Sequence, residues 1–162
     1  MTMQRATMPQ DGVADGPKGK PRTQVAALCW RANDGQVEIL LITSRETGRW
    51  VLPKGWARPA ADPHLEAARE AWEEAGVRGV PSASCVGFYA YHKVLAPEAG
   101  VPCMVAVYPL RVQALAKGFP EEGQRRRKWF SPQRAAEKVS EPELRALLAS
   151  FRPDKDGPAS AR

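Results

Sequence analysis

Along the chain the spacing of apolar residues changes period several times, and each change predicts an element. Val25-Ala26-Ala27-Leu28-Cys29-Trp30 is an unbroken apolar run, the pattern of a strand buried on both faces, so a strand is predicted from Arg22 to Arg31. Asn33-Asp34-Gly35 is a turn signal that feeds a second strand, Val37 to Thr43, in a hairpin. Trp50-Val51-Leu52 predicts a short third strand, and Pro53-Lys54-Gly55 the loop behind it. The period then becomes helical, with Asp62 as N-cap, Pro63 at the first helical position and Gly76 as C-cap. Ser84 to Lys93 and Val101 to Val112 read as a hairpin joined through Ala96-Pro97-Glu98-Ala99-Gly100, and Lys117 to Gly123 reads as a loop. Arg125 to Phe130 reads as an edge strand that carries alternate charges outward. Ser131-Pro132 opens a short helix to about Val139, and Ser140 with Glu143 forms a capping box for a last helix through Phe151. Strands, one helix after the third strand, and helices at the end predict an α/β domain whose sheet lies between helical layers.

The helix after Asp62 sorts into two faces. Leu65, Ala68, Trp72 and Ala75 are expected to form its core side, with Glu66, Glu70, Glu73 and Glu74 opposite them. Like charges at helical spacing cost roughly 0.2–0.5 kcal/mol per pair, and Glu73 and Glu74 stand at the C-terminal end, where the helix dipole disfavours anions. Only Arg69 offsets them nearby. One acidic pair would read as a solvated face. A whole row with no local compensation reads as function, and a hard divalent cation with oxygen ligands, Mg2+ or Mn2+, resolves the cost.

At 162 residues with 43% apolar content the chain is one domain's worth of soluble globular protein, without repeats. No segment approaches the length of a membrane span, and no apolar region behind the N-terminus suggests a secretory signal. Cys29, Cys85 and Cys103 are odd in number and widely spaced, which reads as reduced thiols in a cytoplasmic protein, buried as small hydrophobes. Residues 1–21 and 153–162 read as disordered tails around a domain at 22–152. A formal net charge of +6 beside an acidic row means that positive charge gathers elsewhere, which suits an anionic ligand. Arg45, Arg49 and Lys54 lie close in sequence to the acidic helix and are candidates for holding phosphate. Tyr89 and Tyr91 read as half-buried sheet cover, with a stacking surface for a base as the alternative, and His92 reads as a surface residue.

Gly55 followed by Arg69-Glu70-Ala71-Trp72-Glu73-Glu74-Ala75-Gly76-Val77 resembles the Nudix box, G-x5-E-x7-R-E-U-x-E-E-x-G-U with U apolar. The one departure is Ala61 at the position of the box's first glutamate, which in the family is an accessory to the metal site. Ser44-Arg45 and the run Arg49 to Gly55 are similar to the diphosphoinositol polyphosphate and diadenosine polyphosphate hydrolase branch, although Arg22-Thr23-Gln24 stands where part of that branch has consecutive basic residues. An acidic residue precedes an R-K/R-x-W-F strand in that branch, matched here by Glu121 ahead of Arg127 to Phe130.

The resemblance implies an α/β/α sandwich with a mixed sheet over roughly Arg22 to Phe151, and metal-dependent hydrolysis of a pyrophosphate bond in a nucleoside-diphosphate-linked or polyphosphate substrate. Its implied cation ligands are Glu70, Glu74, Glu73, Glu121 and the Gly55 carbonyl. Glu73 or one of its neighbours is the base, Arg69 orients the carboxylates, and Ser44, Arg45, Arg49 and Lys54 hold substrate. The implied partner is a small-molecule polyphosphate, with no membrane and no stable nucleic-acid partner. An RNA-end pyrophosphohydrolase and a non-catalytic nucleotide-binding module are the alternatives.

Overall fold

The computed structural model describes residues 22–96 and 99–153. The apolar run becomes β1 (Arg22–Asn33), buried continuously from Gln24 to Trp30. Asp34 and Gly35, both with positive φ (57° and 77°), make the turn into β2 (Gln36–Thr43). β3 (Trp50–Val51) is followed by β4 (Lys54–Trp56), where the sequence predicted a loop. Pairing of Gln24, Val25 and Ala26 on β1 with Trp56, Gly55 and Lys54 makes it a strand. The helix α1 (Pro63–Ala75) therefore follows the fourth strand and not the third. It opens on Asp62 and Pro63 and closes on Gly76 at φ 69°, at the bounds its cap residues predict, although the Asp62 side chain makes no capping hydrogen bond.

β5 (Val77–Pro81) is an unexpected strand directly behind α1. β6 (Gly87–Ala96) and β7 (Ala99–Leu115) form the predicted hairpin, whose connecting residues Pro97 and Glu98 lie outside the described residues, as do the predicted tails at 1–21 and 154–162. β8 (Arg127–Phe130) flanks β2 and is shorter than the predicted strand from Arg125 to Phe130. α2 (Pro132–Lys138) is capped by Ser131 as expected. α3 (Pro142–Ser150) starts from Glu141 without a side-chain cap, so the capping box on Ser140 does not form. Ser140 instead accepts a hydrogen bond from Arg49 Nη1 at 2.8 Å.

The eight described strands form one mixed sheet in the order β3-β2-β1-β7-β5, with β4 on β1, β6 on β7 and β8 on β2. β1 and β7 run parallel, and the remaining pairs are antiparallel. Because side chains alternate across a strand, β1 feeds two cores. Ala26, Leu28 and Trp30 pack with Leu144, Leu148 and Phe151 on the α2/α3 side. Val25, Ala27 and Cys29 pack with Ala67, Ala71 and Ala75 on the α1 side. The result is the expected three-layer α/β/α arrangement. No helix among the described residues is long and apolar enough to cross a membrane. Cys29 and Cys103 are buried, whereas Cys85 is exposed and departs from the expected burial.

Candidate functional site

The buried stripe of α1 is Ala67, Ala71 and Ala75, whereas Leu65 is 52% exposed and Trp72 only half-buried. The core side thus differs from the predicted Leu65-Ala68-Trp72-Ala75. Small side chains let the helix lie close on the sheet, and the largest apolar residues are left at its margins. At about 100° per residue, this turn brings Glu70 and Glu74 to the edge of the contact rather than away from it. Their side chains are only 13% and 12% exposed. Burial first, and then the neighbouring Glu74 charge, pushes the Glu70 carboxyl up to about 7. Burial also raises Glu74, against the opposing pull of Arg125 and the Lys54 backbone N–H.

β4 meets this edge of α1. A Cβ built on Gly55 would fall inside the Glu70 carboxylate, so only glycine lets the backbone approach it. The next carboxylate along, Glu74, accepts a hydrogen bond from the Lys54 N–H at 3.2 Å. Arg69 fans across the outer row, 2.6 Å from Glu73, 3.2 Å from Glu70 and 3.0 Å from Glu66. At the far end the Glu121 N–H donates to the Glu73 carbonyl at 3.0 Å, which ties the loop before β8 to α1.

Among the described residues no three acidic, histidine or cysteine side chains form a closed cation centre. The chemistry of the donors still fits a hard divalent ion. Two desolvated carboxylates one turn apart, with a backbone packed against the first, present the oxygen ligands that Mg2+ and Mn2+ take while keeping waters of their own.

The residues expected to hold phosphate are not all gathered at this edge. Lys54 faces the α3 side of the sheet, its Nζ 5.3 Å from the centre of the Tyr91 ring. Arg45 lies beside the loop before β8 and donates to Gln124 Oε1 at 3.0 Å. Ser44 closes its own turn: its Oγ is 2.6 Å from Thr47 Oγ1 and accepts from the Arg49 N–H. Arg49 anchors the start of α3 through Ser140 and lies 3.5 Å from Glu141. Ser44 and Arg49 thus have structural partners that the sequence did not reveal. Tyr89 is fully buried rather than half-buried, and Tyr91, half-buried as expected, donates its hydroxyl to Gln24 Oε1 at 2.6 Å. Tyr89 therefore offers no face for stacking a base, whereas the Tyr91 ring is in part exposed.

The basic run departs furthest from expectation. Arg125 does not point outward: its side chain is 10% exposed, 3.1 Å from Glu121 and 3.6 Å from Glu74. Arg127 also turns inward, donating to the Ala75 and Ala116 carbonyls. Arg126 and Lys128 are the exposed members. The predicted alternation is real, with Arg126 and Lys128 outward and Arg125 and Arg127 inward. The parity could have been read from Phe130, whose burial on the α2/α3 side forces the odd-numbered residues toward α1.

The NUDIX domain description matches residues 20–151. Diphosphoinositol polyphosphate phosphohydrolase 2 of Rattus norvegicus is 38% identical over 58 residues, which are 36% of this chain and 32% of that protein. The chain therefore spans about a third of the length of the curated relatives it matches. Among solved structures, an Ap4A hydrolase binary complex from C. elegans superposes with a TM-score of 0.61 at 22% identity, covering 84% of this chain and 98% of that one. A NUDIX hydrolase from Nitrosomonas europaea gives 0.62 at 21% identity, covering 88% and 96%. At such identities the likeness is one of fold.

Proposed function

The chain belongs to the Nudix family, and on that premise we propose that it hydrolyses a phosphoanhydride bond in a nucleoside polyphosphate. The observation that carries the reading is the apposition of β4 and α1, in which Gly55 packs on the Glu70 carboxylate and Lys54 N–H on Glu74. Glu70, Glu74 and the Gly55 carbonyl would hold the divalent cation, which when bound supplies charge neutralisation and a more acidic water. The chain's own residues do the rest. Glu73, at 35% side-chain exposure the most open of the three, accepts the proton of the attacking water. Arg69 keeps Glu70 and Glu73 apart in fixed orientations through its fork. Lys54, from the α3 side of the sheet, and Arg45, beside the loop before β8, hold phosphate oxygens.

A nucleoside substrate is favoured over an inositol polyphosphate by what surrounds Lys54. Gln24, Tyr91 and Trp56 are neutral groups, and Arg22 stacks on Trp56 at 4.5 Å. Glu141 adds a negative charge that, after burial, helps raise the Tyr89 hydroxyl. A ligand bearing phosphate on every side requires cations all round it, whereas a base and sugar use amides, phenols and rings. Inward rotation of Arg125 and Arg127 likewise weakens the case for an RNA-binding stripe.

The test is a substrate panel with Mg2+, comprising diadenosine polyphosphates, ADP-ribose, nucleoside triphosphates, diphosphoinositol polyphosphates and triphosphorylated RNA. Turnover should be highest on the nucleoside polyphosphates and vanish in chelator and in Glu74→Gln. Full activity in either condition would exclude the mechanism, and no turnover on any substrate would favour a binding module.

A further inference from the structure

Arg125 joins two carboxylates from separate elements. Its Nε lies 3.1 Å from Glu121 on the loop, its Nη2 3.6 Å from Glu74 on α1, and its Nη1 donates to the Thr43 carbonyl at 3.3 Å. The backbone behind it is fixed as well. Arg126 N–H donates to Thr43 Oγ1 at 2.9 Å, and Thr43 N–H to the Arg126 carbonyl at 3.0 Å. The guanidinium is therefore a held group rather than a mobile surface charge. At the other end of the acidic edge, Ala61 supplies no carboxylate.

We propose that Arg125 is a fixed cation standing where Glu74 and Glu121 would otherwise share a second divalent ion. The substrate-free protein then takes one such ion, at Glu70, Glu74 and the Gly55 carbonyl. This rests on the reading of Glu70 and Glu74 as cation ligands. Two oxygen ligands from different elements, brought together by one guanidinium, are the kind of pair that a hydrated divalent ion also bridges. A resident positive charge, hydrogen-bonded to Glu121 and 3.6 Å from Glu74, engages the first carboxylate and repels a second cation from the space beside both.

The experiment counts bound Mn2+ in the full chain without substrate, by electron paramagnetic resonance of free Mn2+ together with calorimetry. Wild type should bind one equivalent and Arg125→Lys, which keeps the charge, also one. Arg125→Gln should bind two, and Arg125→Gln combined with Glu121→Gln should return to one. Two equivalents in wild type, or one in a folded Arg125→Gln, would overturn the proposal. The wild-type count decides even where Arg125→Gln does not fold. No Mn2+ bound by wild type would remove the Glu70 and Glu74 reading along with it.

Discussion

Gly55 and Glu70 are packed so closely that no side chain fits between them, although they belong to a strand and a helix separated by a loop. The obstacle to a Cβ is the end of a flexible glutamate and not backbone, so Gly55→Ala should fold and move the carboxylate. The expected outcome is at least ten-fold weaker Mn2+ binding and a loss of kcat of two orders of magnitude or more, with Tm within a few degrees of wild type. Isothermal titration and thermal melts measure both arms. Unchanged Mn2+ affinity would mean that the close approach serves packing alone.

Desolvation of Glu70 makes metal-free stability depend on pH. Its carboxyl is pushed up to about 7 in the folded chain from an ordinary 4.5, so between those values the native state holds a proton that the unfolded state has lost. Stability then falls as pH rises through that window. Glu70→Gln should flatten this part of the profile, and saturating Mg2+ should oppose it in wild type only. Urea midpoints in chelator at pH 5 and pH 7.5, taken as the difference between wild type and variant, test the sign.

Two neighbouring arginines should behave very differently. Arg127 donates to the Ala75 carbonyl at the end of α1 and to Ala116, and lies 5.0 Å over the Phe119 ring. Gly76 packs beneath both groups. Arg127→Ala leaves carbonyl groups without donors and removes that packing, at a cost of about 2–3 kcal/mol, or roughly 4–12 °C in Tm for a chain of this size. Arg126 is exposed above Trp50, and its change to alanine should stay within about 0.5 kcal/mol. Differential scanning calorimetry separates the two.

These contrasts mark where the sequence was readable. β1, the hairpin turn at Asp34-Gly35 and the caps of α1 each rest on local signals, an apolar run, a turn pair and a Pro-to-Gly frame, so they survive into the fold. The acidic box was legible for a similar reason, since its spacing is local to one helix. β4 was not, because Pro53 and Gly55 speak for a loop and only pairing with β1 makes a strand. The face of α1 was misjudged because alanine carries little hydrophobic signal, while Leu65 and Trp72 carry much and lie at the margin. Arg125, Ser44 and Arg49 find partners contributed by distant segments, or by their own turn, that no periodicity encodes.

Lys54 and Arg49 provide the last contrast, because both were candidates for holding phosphate and the fold treats them differently. Lys54 uses its backbone N–H on Glu74, so a change of side chain leaves that bond in place while removing the ammonium from the face shared with Tyr91. Lys54→Met should therefore lower kcat/KM about ten-fold or more, the equivalent of one charge-assisted hydrogen bond of roughly 1.5–3 kcal/mol. Mn2+ affinity should stay near that of wild type, and the loss should grow with the number of phosphates in the substrate. Arg49 already donates to Ser140 and lies beside Glu141 at the start of α3. Arg49→Ala should change kcat/KM less than three-fold and show itself as a lower Tm through the loosened β3 to α3 contact. Steady-state kinetics on a series of nucleoside polyphosphates of increasing phosphate number measure both. If Arg49→Ala shows the length-dependent loss and Lys54→Met does not, the phosphate chain is held by Arg49 at the start of α3 and the role proposed for Lys54 is wrong.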